Sequence, residues 1–168
     1  RRFAPSIHAV HVGLGLEGLA AVYLAKNDLV AAEQNAREAI KTNPQTIGAH
    51  GVLGQIAYNR GDYAAAIAEF QAATQGTGKD SMKKDAFARL AMAFNGQGLA
   101  ASQSGNGAAA VSSYEAAVQA SPKDAQANIN LGQTYLAQGN PAKAQEAFQR
   151  AATANPNDSV ASTLLAQA

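Results

Sequence analysis

The chain has 168 residues, of which 47% are hydrophobic and only 15% charged, with a formal net charge of +1 and no cysteine. This balance excludes a basic nucleic-acid surface and a charged tail, and the missing cysteines exclude a disulfide framework, a thiolate zinc site and a cysteine nucleophile. No uncharged apolar run approaches the roughly 18 residues needed to span a bilayer, and with tryptophan absent and aromatics at 6% the core must come from small residues and close backbone approach.

The sequence opens at Arg1 rather than methionine, with nothing resembling a signal peptide nearby, so it reads as a piece of a longer protein in which Phe3-Ala4-Pro5 closes an upstream unit. From about Gly13 a pattern begins. Leu19-Ala20 and Tyr23 mark a first helix, Asn27-Asp28 a turn, and Ala32, Ala36 and Ala39 a second helix that stops before Pro44. The same order returns as Leu53-Gly54, Tyr58, Gly61-Asp62, Ala66, Phe70 and Ala73, ending near Gly78. It returns as Leu90-Ala91, Phe94, Gly105-Asn106, Ala110, Tyr114 and Ala117 before Pro122. A last round is Leu131-Gly132, Tyr135, Gly139-Asn140, Ala144, Phe148 and Ala151 before Pro156. Glycine and asparagine tolerate positive φ in turns, and proline denies a helix its next backbone donor. Asp80, Asp124 and Asp158 follow as expected N-caps. Small residues thus fall where antiparallel helices cross closely, and large ones fill the space to the next pair. Ser159 to Ala166 reads as one more helix, either a cap or the start of a further unit.

Spacing locates an irregularity. Leu19, Leu53, Leu90 and Leu131 lie 34, 37 and 41 residues apart, whereas Ala32, Ala66, Ala110 and Ala144 lie 34, 44 and 34 apart. Three extra residues therefore precede the third unit, and seven more lie between Leu90 and Ala110. Seven residues are close to two turns of about 3.6. The expectation is that the helices flanking Gly105 share them, each growing by about one turn. An irregular loop is the competing reading, because Gly96, Gly98, Gly105 and Gly107 each weaken a helix by ~1 kcal/mol.

This order of residues resembles the tetratricopeptide repeat, a helix-turn-helix unit with the pattern W-x2-L-G-x2-Y, then A-x3-F, then P. The last unit matches in Leu131, Gly132, Tyr135, Ala144, Phe148, Ala151 and Pro156, while the tryptophan place is held by Leu16, His50, Phe87 and Asn128. The resemblance implies an all-α fold, a right-handed α-solenoid of antiparallel helix pairs in a single array. Its units would be 13–46, 47–83, 84–124 and 125–158, with 159–168 as the terminal helix. It implies a scaffold without catalysis or cofactor, whose first helices line a concave groove that holds an extended peptide or a partner helix.

Carried onto this sequence, the groove comprises Glu17, Gln55, Tyr58, Asn59, Arg89, Met92, Asn95, Gln126, Asn130 and Gln133, with Ala21, Gly51, Asp85, Ala88 and Ile129 between them. The carboxylate clamp of heat-shock chaperone adaptors needs two lysines, two asparagines and an arginine; the matching places hold Glu17, Ala21, Val52, Asp85 and Arg89. An amide-rich groove with one arginine suits the backbone of a weakly charged segment of a protein partner. Self-assembly through the terminal units, giving a homo-oligomer, is the alternative.

Three clusters invite other chemistry. His8 and His11 stand at a metal-binding spacing, but zinc sites need three or four ligands and His50, the remaining histidine, occupies a packing place. Ser81-Met82-Lys83-Lys84 spells the S-x-x-K of serine β-lactamases without its partner motifs. Lys79, Lys83, Lys84 and Arg89, interrupted by Asp80 and Asp85, read by default as a solvated helix start; the dipole there disfavours cations, which makes an anionic partner the alternative. Low charge and abundant alanine and amides resemble exported bacterial proteins, so the expected location is the periplasm or cell envelope.

Overall fold

The structure, a computed structural model, describes residues 7–157 and 159–167. The expectations for Phe3-Ala4-Pro5 and for an Asp158 cap lie outside the described residues. In chain order the helices are α1 (Ile7–Ala25), α2 (Leu29–Thr42), α3 (Ile47–Asn59), α4 (Tyr63–Gln75) and α5 (Asp80–Gln103). They continue as α6 (Gly107–Ala120), α7 (Ala125–Ala137), α8 (Pro141–Ala154) and α9 (Ser159–Gln167). The only β feature among the described residues is an isolated bridge between Thr46 and Thr77. Two compact units divide between Leu90 and Ala91, inside α5.

The turns form as their residues dictate. Asn27, Gly61, Gly105 and Gly139 take φ of 60°, 75°, 76° and 73°, a region that costs glycine nothing and asparagine little. The residue after each caps the next helix through its side chain: Asp28 accepts from the Ala31 amide, Asp62 from Ala65, Asn106 from Ala109 and Asn140 from Lys143. Asp124 caps α7 in the same way. Asp80 does not cap; it is the first residue of α5, and the carbonyl of Lys79 accepts the first helical bonds from Met82 and Lys83.

In the first unit, Ala20 on α1, Ala32, Ala36 and Ala39 on α2, and Ala49, Val52 and Ile56 on α3 form one buried cluster. A second cluster joins Ile47, Ala73 and Ala86, so the early part of α5 covers the end of the α3–α4 pair. In the second unit Tyr114, Leu131, Tyr135 and Phe148 pack with Ala110, Ala144 and Ala147. Ala161 of α9 closes over Ile129 and Ala151.

The third pair corrects the expected sharing of the seven extra residues. The helix reading holds over the loop reading, but α6 has 14 residues like α2 and α8, whereas α5 has 24 against 13 in α3 and α7. The cap explains this. Asp28, Asp62, Asn106 and Asn140 each stand four residues before Ala32, Ala66, Ala110 and Ala144, so the start of every second helix is fixed and α6 cannot grow.

The register inside that pair is also corrected. A Cβ at Gly54 would meet the Phe70 ring at 2.5 Å, at Gly132 the Phe148 ring at 2.5 Å, and at Gly98 the Tyr114 ring at 2.7 Å. Gly98, not Ala91, is therefore the close-approach residue facing α6. Ala91 instead packs with Ala117, Ala127 and Phe94. The tryptophan place of this pair, four residues before its glycine, belongs to Phe94, while Phe87 is 44% exposed.

Two polar residues at that place anchor the preceding turn. Nε2 of His50 lies 3.1 Å from the Pro44 carbonyl, and Nδ1 lies 2.7 Å from Oε2 of Glu69 on α4. Fully buried Asn128 donates Nδ2 to the carbonyls of Pro122 and Asp124 and accepts from Nε of Arg150 on α8. A hydrogen-bonded anchor to turn and partner helix replaces the bulk that tryptophan would supply.

Candidate functional site

In the first unit, α1, α3 and the beginning of α5 enclose a cavity of about 430 Å³. Ala21, Leu24 and Ala25 line it from α1, Ile47, Gly48, Gly51 and Val52 from α3, and Met82, Asp85, Ala86 and Arg89 from α5. Small residues on its walls, Ala21, Ala25, Gly51 and Ala86 among them, leave room between the larger Leu24, Ile47, Val52 and Met82. A Cβ added at Gly51 would meet nothing within 4 Å, so this glycine leaves open space where any other residue would fill it.

The polar residues expected for the groove of this unit form a chain. Arg89 donates Nη1 to Oε1 of Gln55 at 2.9 Å, and Gln55 donates Nε2 to Oδ1 of Asn59 at 2.9 Å. Tyr58 leans edge-on against Tyr63 of α4, with ring centroids 5.5 Å apart. Glu17 turns to the α2–α3 turn, where its carboxylate accepts from the Thr46 hydroxyl. That contact sits at the start of α3, a favourable end of the dipole for an anion.

The second unit repeats the arrangement. Gln126 donates to Oδ1 of Asn130 at 2.9 Å, and Asn130 donates to Oδ1 of Asn95 at 2.9 Å. Asn130 and Gln133 also line a cavity of about 430 Å³ with Leu99, Ser102, Tyr114 and Thr134. Met92 is half-buried on α5. Ile129 was expected between the amides, but it is only 4% exposed and packs on Ala151 and Ala161, so it lines no surface.

Sequence reasoning missed Leu24, Ile47, Gly48 and Met82 of the first cavity. Its signal was weak: paired glycines three apart on α3, Gly48 and Gly51, ahead of Gly54.

The other chemical candidates find no support in arrangement. Ser81 lies exposed in the first turn of α5, while Met82 of the same motif faces the cavity. The side chains of His8 and His11 lie outside the described residues, and among the described ones no three metal-binding side chains gather. Burial, aided by its bond to Glu115, pushes the Tyr135 hydroxyl up to about 12, so it stays protonated as a structural donor at neutral pH. No helix among the described residues is long and apolar enough to cross a membrane.

The chain is similar in fold to a crystal structure of MamA protein, at 18% identity over 93% of this chain and 80% of that one, with a TM-score of 0.64. It is similar to Pseudomonas aeruginosa pilF at 22% identity over 95% and 68%, with a TM-score of 0.55. It matches 29% of a chain in the APC/C hetero-tetramer Cut9-Hcn1 at 19% identity, covering 92% of its own length, with a TM-score of 0.56. Identities this low speak to the fold alone. No curated protein sequence matches the chain. Tetratricopeptide repeat profiles match residues 17–81 and 101–168. The stretch left between them is the part of α5 that carries the extra turns. With the helix pairs, the glycine–aromatic contacts and these two matches in agreement, the chain belongs to the tetratricopeptide repeat family.

Proposed function

We propose that the chain is a protein-interaction scaffold, not an enzyme, and that it holds an extended or helical segment of a partner against its first helices. The observation that carries this reading is the cavity of about 430 Å³ between α1, α3 and α5, lined mainly by apolar residues together with Asp85 and with Arg89, which heads the Arg89–Gln55–Asn59 hydrogen-bonded chain. Its volume lies within the roughly 300–1,000 Å³ of ligand pockets. The side-chain amides offer donors and acceptors to a peptide backbone whatever its sequence. Low charge and many amides further suit an exported bacterial protein.

Gly51→Leu tests the reading. A Cβ at Gly51 meets no atom within 4 Å, and leucine raises helix propensity by ~1 kcal/mol, so the fold is expected to hold while the longer side chain fills the cavity. Partner binding, read by pull-down and titration, is expected to disappear with melting unchanged or raised. Retained binding would place the site elsewhere.

Self-assembly has its own supporting feature. Leu14 is 61% exposed, Leu19 47% and Val22 49%, and α1 presents them beside Gly15 and Gly18. Sedimentation across concentration separates the readings: a Leu19→Glu, Val22→Glu variant that turns an oligomer into a monomer while leaving partner binding intact would assign α1 to assembly.

A further inference from the structure

Charge along α5 narrows the chemistry of the segment that the first cavity takes. From Lys79, just before the helix, to Arg89 the sequence carries Lys79, Lys83, Lys84 and Arg89 against Asp80 and Asp85, four cations to two anions, in a chain of formal charge +1. Among the described residues none of these six side chains enters an ion pair. Asp85 stands four residues before Arg89, the spacing at which an acid and a base on one helix pair. Arg89 nevertheless reaches across to α3 and donates Nη1 to Gln55. A guanidinium carries five N–H donors. One bond to a glutamine that is itself tied to Asn59 fixes the fork and leaves its other donors for a ligand.

Arg89 is the one cation among the residues lining the cavity, next to Leu24, Val52 and Ala86. The lining also carries Asp85, which forms no ion pair with Arg89, so the guanidinium with its free donors is the group that can receive a carboxylate set beside an apolar side chain in the hollow. We propose that the cavity takes one apolar side chain of an internal segment of a partner protein, and that an Asp or Glu within about one helical turn of that anchor pairs with Arg89. The carboxylate belongs to a side chain and not to a chain terminus, because Lys79, Lys83 and Lys84, just before and at the start of α5, do not line the cavity with Arg89. This inference rests on the groove reading, and its test separates the two.

Random dodecapeptides with both ends blocked are displayed, selected on the full chain and counter-selected on Gly51→Leu. The expected winners share one Leu, Ile, Met or Phe and an Asp or Glu within a turn of it. In titration, replacing that Asp by Asn lowers affinity about tenfold, equivalent to about 1.4 kcal/mol. Arg89→Glu causes a similar loss and reverses the preference toward a Lys-bearing peptide, while its melt confirms that the fold survives. Equal enrichment on Gly51→Leu, or no enrichment at all, overturns the groove and this inference together. Peptides lost on Gly51→Leu but indifferent to Asp, Asn or Lys would keep the groove and overturn the carboxylate. A selected peptide remade with a free C-terminus that binds more tightly and no longer needs its Asp or Glu would overturn the side-chain assignment.

Discussion

An alanine at Gly98 tests the register of the third helix pair. In isolation, Gly→Ala within a helix gains ~1 kcal/mol from backbone entropy. At this position the added Cβ lands 2.7 Å from both Cδ1 and Cε1 of Tyr114 and 3.0 Å from Cζ, well inside the roughly 3.5 Å at which carbon atoms rest. The ring cannot step aside, since Tyr114 is 2% exposed and packed among Ala110, Leu131 and Tyr135. Overpacking of this kind costs ~1–3 kcal/mol, leaving a net loss of ~0–2 kcal/mol once the ~1 kcal/mol helix gain is counted. Gly51→Ala has the same chemistry but meets nothing within 4 Å, so it keeps the whole gain. The two variants should therefore differ by ~1–3 kcal/mol. Repeat units can unfold separately, so urea unfolding is followed by hydrogen exchange resolved along the chain. Gly98→Ala lowers protection of α6 and α7 with α1 to α4 unchanged, and Gly51→Ala raises protection of α3. If Gly98→Ala stabilises as much as Gly51→Ala, Tyr114 does not lie against Gly98 and α5 meets α6 in a different register.

Other outcomes follow from the anchors and the caps. Both ring nitrogens of His50 face acceptors, chiefly the Glu69 carboxylate, and this raises its pKa above 6.5 against the opposing effect of burial. Its stabilisation is therefore full below about pH 6.5 and lost as pH rises through the folded value. The first unit should melt higher at pH 6 than at pH 8, and His50→Gln should narrow that gap; an unchanged gap refutes the anchor. Asn128→Ala strands the Pro122 carbonyl and Arg150 and should cost ~1–3 kcal/mol in unfolding. Arg37→Ala and Lys143→Ala, on exposed faces of α2 and α8, should shift stability by ~0.5 kcal/mol or less. Deleting Leu99 to Gly105 brings Ala91 to the separation from Tyr114 that Gly98 now has and sets Gly98-Asn106 in the turn. Circular dichroism should then show a folded, shorter α5, and collapse of α6 protection would show that its extra turns are needed.

The helix pairs were legible because each rests on local chemistry repeated several times: a positive-φ turn residue, a capping Asp or Asn, a buried alanine stripe. Gln55, Asn59 and Arg89 in the first unit, and Gln126 and Asn130 in the second, could be named only by carrying the family's groove positions onto the sequence. Their hydrogen bonds were not legible. Arg89 and Gln55 are 34 residues apart, and Asn130 and Asn95 are 35 apart, so their meeting depends on how one pair stacks on the next. The cavity was harder still, since Gly51 shapes it by what it lacks while nearby Gly48 lies against Glu17, and a sequence shows no sign of whether a glycine faces a neighbour or open space. Gly54 and Gly51 differ in that respect alone.

The third pair shows why a slip of seven residues hides in a pattern with a helical period. Seven residues are about two turns, so Leu90-Ala91 and Gln97-Gly98 present nearly the same face of α5, and both Ala91 and Gly98 are small enough for a close crossing. Periodicity cannot choose between them. Separation from the partner aromatic can, because Gly54 to Phe70, Gly98 to Tyr114 and Gly132 to Phe148 are equally spaced, and that spacing follows from a fixed turn and a fixed cap. The residues before Ala91 are thereby released from α6, and Met82 and Ala86 pack with Ile47 and Ala73 instead. Since Gly98 stands as far from the turn glycine Gly105 as Gly54 does from Gly61, the extra turns lie before Gly98, and they supply the beginning of α5 that walls the cavity with Met82, Asp85, Ala86 and Arg89. In this chain the irregularity of the repeat and the construction of its candidate site have one cause.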